Sequence, residues 1–306
     1  MDKNKEMLQL LLNRKAFAQI KLESLNYEGN VEVRSIDNEN YIYLRKRVAG
    51  RNEAILVDKY NDELFFTLKN KQVEYKNLSI EIKKIDNELK ILGLLDKNLP
   101  SNVISTLDYL KKNYENILCN FLLLENITLN NRTIKEVISK QNYRGVRFSD
   151  RTKVLSIIKV FEYITDKYQL LMPTNYFALK FINQILQEGF YNDDISDFSS
   201  KDKLKSHSYI ENEEKIVRDI ERLVQSIEPP IEVSIKLFCY CIKLESYSYI
   251  SIILFINLYL ISKGEGLICI PRNEINTFKR NIIDFKTNNN SKNLSSFLKS
   301  VCWKKQ

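Results

Sequence analysis

The sequence predicts a mainly α-helical protein whose N-terminal part also contains a β-hairpin. Only 7 glycines and 5 prolines occur in 306 residues, so long stretches lack the residues that interrupt regular structure. Apolar residues recur with helical spacing along most of the chain, and only residues 40–57 alternate as a strand pair does. The length is sufficient for one large domain or two smaller ones.

The N-terminal part predicts a helix, a hairpin and a second helix. Residues 3–25 have amphipathic helical spacing, and that helix is expected to end near Gly29. Residues 40–57 form the hairpin around the polar step AGRN, and residues 64–95 form a helix with Gly93 in the C-cap position. The stretch DKNLPSN (96–102) contains Pro100 and marks the boundary, which predicts domains at 1–95 and 100–306.

The C-terminal part reads as a series of helices joined by short connections. The exception is 189–208, a polar stretch rich in Asp and Ser that predicts a long surface loop or flap. The predicted helices are 102–124, 130–140, 149–168, 173–188, 211–227, 230–244, 250–263, 272–285 and a short one at 293–302.

Charge and cysteine content indicate the environment and the kinds of partner. The net charge of +8 favours acidic partners, and residues 262–306 hold nine basic residues against three acidic ones. Nucleic acid is therefore a candidate partner for 262–306. The five cysteines are odd in number, lie in apolar surroundings and have no metal-binding spacing, which favours buried thiols in a reducing compartment over disulfides or zinc.

No targeting or membrane segment is predicted. The N-terminal stretch MDKNKEMLQLLLNRK has a short apolar core and no small-residue cleavage site. The apolar run at 250–261 is shorter than the roughly 20 residues that cross a bilayer, and suits a buried core helix. We expect a cytoplasmic protein without a membrane partner.

Motifs for metal or cofactor binding are weak. His207 is the only histidine and lies in the predicted flap, so we expect it to be a solvent-facing loop residue and not a metal ligand. Asp193, Asp194 and Asp197 lack EF-hand spacing and read as a solvated acidic loop. No glycine-rich phosphate loop is present, so neither a metal nor a cofactor is expected.

The order of elements from about 110 to 302 resembles the Fic (Fic/Doc) family, whose active members transfer AMP or a related group from a nucleotide to a protein hydroxyl. The stretch LLENITLNNRTIKEVIS (123–139) is similar to the family's inhibitory segment, with matches at Glu125, Asn126, Thr128 and Leu129. Residues 170–189 resemble the helix before the family's flap, and 190–206 would be the flap. The resemblance implies a Fic-like all-α domain.

The resemblance also implies that the catalytic motif is lost. The family's His, Pro and Phe positions are occupied by Glu245, Ser246 and Tyr247. About three residues are missing before Asn257, which removes the Gly-Asn-Gly turn, and the second Arg position falls near Ile253. We therefore expect no catalytic residues. In autoinhibited members of the family the matching Glu pairs with the motif's second Arg; because that Arg is absent here, the resemblance implies that Glu125 is vestigial and caps a helix end or faces solvent.

Three functions follow as expectations. The first is a catalytically degenerate Fic protein that acts as a bacterial regulatory or adaptor subunit, for instance in toxin-antitoxin control or phage defence, with the flap at 190–206 binding a protein partner by strand addition. The second is a basic nucleic-acid-binding protein. The third is a divergent AMP transferase in which Glu245, Tyr247 or flap residues perform the chemistry.

Overall fold

The computed structural model describes residues 3–25, 27, 29–48, 51–92, 98–138, 148–188, 207–244 and 246–304. The chain divides into two compact units: Leu10–Leu95, and Met1–Gln9 together with Asp96–Gln306. The prediction that these parts are independent domains, with a boundary at 96–102, stays a prediction.

The smaller unit combines two long helices with a three-stranded sheet. Helix α1 (Lys3–Ser24) belongs to this unit from Leu10 onward, and helix α2 (Asp62–Ile91) is its last element. Strands β1 (Asn30–Ile36), β2 (Glu39–Val48) and β3 (Arg51–Lys59) form an antiparallel meander in that order. The predicted hairpin at 40–57 corresponds to β2 and β3, but β1 was not predicted.

The core of the smaller unit lies between the sheet and α2. Tyr27, Val31 and Ile42 are buried there against apolar residues of the strands and of α2. The side chain of Asn61 accepts hydrogen bonds from the amides of Glu63 and Leu64, which explains why α2 begins at Asp62. Helix α2 ends at Ile91 with Leu92 in the C-cap position; Gly93, the predicted cap, lies outside the described residues.

The larger unit is helical, as predicted, and the mainly α class of the chain is confirmed. Its helices are α3 (Ser101–Leu124), α4 (Asn131–Ile138), α5 (Phe148–Ile164), α6 (Lys167–Leu171), α7 (Tyr176–Glu188), α8 (His207–Val224), α9 (Pro230–Cys241), α10 (Tyr249–Lys263), α11 (Ile275–Asn288) and α12 (Lys292–Phe297). Two short strands, β4 (Leu267–Ile268) and β5 (Trp303–Lys304), pair antiparallel near the C-terminus.

Several predicted boundaries were wrong in detail. The helix predicted at 149–168 is two helices, because Asp166 caps a new helix by accepting from the amides of Tyr168 and Gln169. The segment after α10 begins as a 3-10 turn (Arg272–Glu274) before α11, and α12 continues as a π-helical turn (Leu298–Cys302). His207 was predicted in a loop, but it is the first residue of α8.

Helix α10 lies at the centre of the larger unit. Every residue from Ile250 to Ile261 is buried, and α10 packs against α3, α5, α6, α7, α9 and β4. A helix that is apolar on all sides is expected only in such a position. Gly264 ends α10 in the left-handed conformation (φ 67°), and a Cβ there would lie 2.2 Å from Nδ2 of Asn102.

Among the described residues, no helix combines the length and the apolar character that a membrane span requires.

Candidate functional site

The candidate site is the turn between α9 and α10, where the resemblance places the degenerate motif. Glu245 lies outside the described residues. Ser246 and Tyr247 follow it in a tight turn, in which the amide of Tyr247 donates to the carbonyl of Leu244 at 3.2 Å. Ser248 then occupies the N-cap position of α10. The turn therefore leads directly into the central core helix.

Asn183 of α7 holds this turn in place. Its Nδ2 donates to the carbonyl of Ser246 at 3.3 Å, and its Oδ1 accepts from the hydroxyl of Ser251 at 2.7 Å and, more weakly, from the amide of Ser248 at 3.4 Å. The Asn183 side chain is buried and Ser251 is fully buried. One amide therefore binds both the backbone of the turn and the first turn of α10.

The N-terminus of α10 is capped by its own residues. The hydroxyl of Ser248 accepts from the amide of Ser251 at 3.1 Å and lies 2.7 Å from the Ser251 hydroxyl. Free amides and the helix dipole make a helix N-terminus suitable for phosphate groups. Here the Ser251 amide, which a phosphate could otherwise use, is already bound.

Tyr247 is held by a second tyrosine. Its hydroxyl donates to that of Tyr176 at 2.8 Å, and the two rings meet edge to face with centroids 6.3 Å apart. Tyr176 is the first residue of α7 and is buried, whereas Tyr247 is half-buried. Tyr247 thus links the turn to α7 at a second point.

Ile253 and Asn257, the other two positions of the degenerate motif, are fully buried within α10. Ile253 is part of the apolar core. The amide of Asn257 makes two hydrogen bonds with the backbone of Ile268 in β4: Nδ2 donates to its carbonyl at 2.9 Å, and Oδ1 accepts from its amide at 2.7 Å. Asn257 therefore connects the core helix to the small sheet.

The segment that resembles the inhibitory motif lies at the end of α3. Glu125 is the C-cap residue of α3, and its carboxylate pairs with Lys153 of α5 at 3.2 Å. Asn126 adopts the left-handed conformation (φ 60°) that ends many helices. Glu125 was predicted to cap a helix end or to face solvent; the ion pair with Lys153 was not predicted.

A cavity of about 310 Å³ opens beside this segment. Leu123, Ile127 and Leu129 give it an apolar wall, and Asn116, Asn120 and Arg272 supply polar groups. Cys119 also lines it, and partial burial raises the pKa of that thiol. A raised pKa lowers the fraction of thiolate, which is the nucleophilic form of a cysteine.

The remaining thiols are also held in the neutral form. Burial raises the pKa of Cys241 to about 12, that of Cys302 to about 12 and that of Cys239 to about 11. The described residues contain no cluster of three or more His, Cys, Asp or Glu side chains able to hold a metal ion. All five cysteines are free thiols; Cys241, Cys269 and Cys302 are buried as predicted, whereas Cys119 and Cys239 are half-buried.

Two lysines, Lys243 and Lys286, lie near the same turn, whereas Lys263 lies at the opposite end of α10. All three lie over aromatic rings, and none forms an ion pair with a carboxylate of the described part of the chain. The lysine-to-ring distances are 5.3 Å for Lys243 over Phe285, 5.4 Å for Lys286 over Tyr249, and 5.6 Å for Lys263 over Tyr259.

Sequence reasoning missed the two residues that organise the site. Asn183 and Tyr176 lie some 60 to 70 positions before the turn, and no local pattern connects them to it. The one available signal was a polar Asn on the apolar face of the stretch YFALKFINQIL. The predicted flap at 190–206 lies outside the described residues.

Comparisons with known proteins show similarity at the level of structure and not of sequence. No protein-family profile matches the chain, and no curated protein sequence matches it. A solved structure titled Fic-1 (residues 134–508) from C. elegans superposes with a TM-score of 0.47 at 11% identity, covering 75% of this chain and 73% of that one. Its title names the family that residues 110–302 resemble, but a likeness this distant carries no conclusion about fold or activity.

Proposed function

We propose that this chain is a degenerate Fic-type protein that acts by binding a protein partner and not by transferring a nucleotide. In this proposal its scaffold serves as a regulatory or adaptor subunit of a bacterial cytoplasmic pathway such as toxin-antitoxin control or phage defence. The pathway rests on the resemblance alone, whereas the loss of transfer rests on the contacts of the α9–α10 turn.

The single observation that carries the proposal is the network of Asn183, Ser248 and Ser251. A nucleotide-transferring site at this turn would require backbone amides that are free to bind phosphate and a base that can take the proton of the target hydroxyl. Here the amides of Ser248 and Ser251 and the carbonyl of Ser246 are bound by the side chains of Asn183 and Ser248, at distances between 3.1 and 3.4 Å.

The two motif positions inside α10 support the same proposal. An arginine that neutralises phosphate must reach the site from the helix surface, but Ile253 is apolar and fully buried. Asn257 is committed to the backbone of Ile268. Electrostatic stabilisation of the transferred group is commonly the largest catalytic contribution, and neither position supplies it.

Direct measurement of nucleotide binding tests the proposal. Titration calorimetry of the full chain with ATP and magnesium should give no binding heat at millimolar ligand. Saturable binding that is lost when Tyr247 is replaced by alanine would instead support the divergent transferase.

The partner-binding role is tested through the flap. Deleting residues 190–206 should remove a partner that copurifies from the native host, because strand addition depends on the backbone of that segment. If the partner is retained by the deletion variant, the flap is not the binding element.

A second candidate, nucleic-acid binding, is favoured by lysines near the turn that form no ion pair with a described carboxylate. Lys243, which donates to the side chain of Asn289, and Lys286 lie over aromatic rings at the same end of α10. Lys279 and Arg280 lie earlier on α11 and also form no ion pair with a described carboxylate. On single-stranded nucleic acid, basic groups can contact the phosphates while a neighbouring exposed aromatic ring stacks on a base.

Salt dependence distinguishes this candidate. Binding to a labelled single-stranded oligonucleotide should weaken steeply as salt rises, and changing Lys243 and Lys286 to glutamate should abolish it. In the matched control, Lys167 and Lys215, which lie on other helices of the larger unit, are changed to glutamate, and this variant should still bind the oligonucleotide. No mobility shift at about 100 mM salt excludes the candidate.

A further inference from the structure

Helix α2 carries apolar residues on two faces, and only one face is covered. Leu78, Ile85 and Leu89 are buried. On the opposite face Phe66, Val73 and Ile80 follow one another every seven residues and are 60%, 57% and 52% exposed. Large apolar side chains at such regular positions on a 30-residue helix indicate a surface that another helix covers.

The exposed face follows a coiled-coil heptad. If Phe66 occupies position d, the seam residues follow one another at intervals of four and three, which is the a and d spacing, with apolar residues at three of the four d positions and asparagine at two of the four a positions. Asparagine at a positions fixes the register of coiled coils at some cost in stability. The d positions are Phe66, Val73, Ile80 and Asn87, and the a positions are Asn70, Asn77, Lys84 and Ile91.

The charges that flank this seam have opposite signs on its two sides. In a parallel pair each g residue faces the e residue of the partner that lies five positions later, whereas in an antiparallel pair g faces g. We call each such pair of facing g and e residues a rung. In a parallel pair every rung joins a lysine of one copy to a glutamate of the other, whereas in an antiparallel pair the g lysines of the two copies face each other. The g residues are Lys69, Lys76, Lys83 and Lys90, and the e residues are Thr67, Glu74, Glu81 and Glu88.

We propose that the chain forms a parallel homodimer through this face of α2, from Phe66 to Ile91. The occupant of the face is a second copy of the same chain, because the two sides of the seam are complementary to each other and a two-fold axis along α2 brings them together. The rungs are Lys69 to Glu74, Lys76 to Glu81 and Lys83 to Glu88, each joining one copy to the other.

The groups that form the last two rungs are accessible. Lys76, Lys83 and Glu88 are exposed and form no ion pair within the described part of the chain. Glu81 pairs with Arg14 of α1 at 2.8 Å, yet its side chain is still 38% exposed, and a carboxylate can accept a second cation.

The first rung is expected to contribute least. Lys69 donates to the side chain of Gln72 at 3.3 Å and lies over the ring of Phe65 within its own unit. Glu74 pairs with Lys21 at 2.8 Å. Both groups would have to share these contacts with the partner.

A groove lies along part of the seam. It has a volume of about 430 Å³, and Asn77, Ile80, Glu81 and Lys84 line it together with Arg14, Ile85 and Glu88. Asn77, Ile80, Glu81 and Lys84 occupy consecutive a, d, e and a positions, which form the hole for a d-position side chain of a parallel partner. The partner's Ile80 is the side chain that would enter this groove.

Sedimentation equilibrium of the full chain tests the dimer. Wild type should change from monomer to dimer with rising concentration, and V73K combined with I80K should remain monomeric because two lysines would be buried in the seam. The control I283K alters an apolar residue of α11 that is 65% exposed and should dimerise as wild type does. Circular dichroism melting should show that both variants fold as wild type does.

Charge reversal tests the parallel arrangement. K83E and E88K should each weaken the dimer about tenfold, because two attractive pairs become repulsive, and the double variant should restore the wild-type affinity. A second test uses N87C, because the two residues at a given d position face each other across the axis of a parallel dimer. Under mild oxidation the cysteines that this variant introduces in the two copies should form a disulfide with each other, and more dimer should be cross-linked than in wild type.

A wild type that stays monomeric at hundreds of micromolar overturns the proposal, as does a dimer that persists in the V73K and I80K variant. A dimer in which N87C does not cross-link, or in which the K83E and E88K double variant stays as weak as its parents, overturns the parallel arrangement.

Discussion

Asn257 completes the hydrogen bonding of Ile268 by presenting one side-chain donor and one acceptor to its backbone, at 2.9 and 2.7 Å. In this way a buried amide of the core helix takes the place of a neighbouring strand beside β4. The only polar residue besides Ser251 in the buried run of α10 thus has a structural role. The resemblance had placed Asn257 just after a catalytic motif.

Replacing Asn257 with leucine should destabilise the larger unit by about 3 kcal/mol, because a buried amide and a buried carbonyl lose their partners. Urea unfolding measures this change. The control is N288A, which removes an exposed asparagine of α11 and should cost less than about 0.5 kcal/mol. An N257L protein as stable as wild type would show that Ile268 finds other partners.

Replacing Asn183 with alanine should free the α9–α10 turn. The change removes the donor to the carbonyl of Ser246 and the acceptor of the Ser251 hydroxyl, at a cost of about 2 kcal/mol. Amide hydrogen exchange should become faster at residues 246–251 while α3 stays protected. Unchanged exchange across the turn would contradict the role given to Asn183.

The contribution of the Ser248 hydroxyl as the N-cap of α10 can be tested by substitution. S248A should cost about 1 kcal/mol because the amide of Ser251 loses its acceptor. S248T keeps a hydroxyl at the same place and should recover most of that loss. Thermal melts of both variants beside wild type measure the difference, and equal losses in the two would rule out capping as the cause.

The sequence predicted elements better than contacts. Helix α10 was predicted within one residue because ten of the twelve residues from Ile250 to Ile261 are apolar, and this run lies between a polar turn and Gly264. Strand β1 was missed, although Val31 and Val33 alternate with charged residues before a two-residue turn at Asp37 and Asn38, both with positive φ. In a strand this short the alternation of apolar and charged residues is a weak signal by itself, and it becomes convincing only when the partner strand β2 is known.

The site could be predicted only in part, for a related reason. Its position followed from the polar stretch before α10, but the contacts that close it come from α7, far away in sequence. Hydrogen bonds between distant residues depend on how helices pack, and a single sequence does not encode them as a local pattern. The ion pair of Glu125 with Lys153 was missed in the same way.

Thiol reactivity should follow burial. Cys241 and Cys302 are buried, and burial raises the pKa of each thiol to about 12, so both should resist alkylation at pH 8. Mass spectrometry after brief iodoacetamide treatment should find these two unmodified in the native protein and all five modified in guanidinium. Rapid native labelling of Cys241 would show that the core around α9 opens readily.

The loss of nucleotide transfer is the central claim, and labelled ATP tests it most directly. Wild type and E125G are incubated with labelled ATP, magnesium and host lysate, beside a sample without the protein. Because Glu125 pairs with Lys153 and restrains no motif arginine, both proteins should give no label above the control. Label on any protein, in particular label that increases in E125G, would contradict the account.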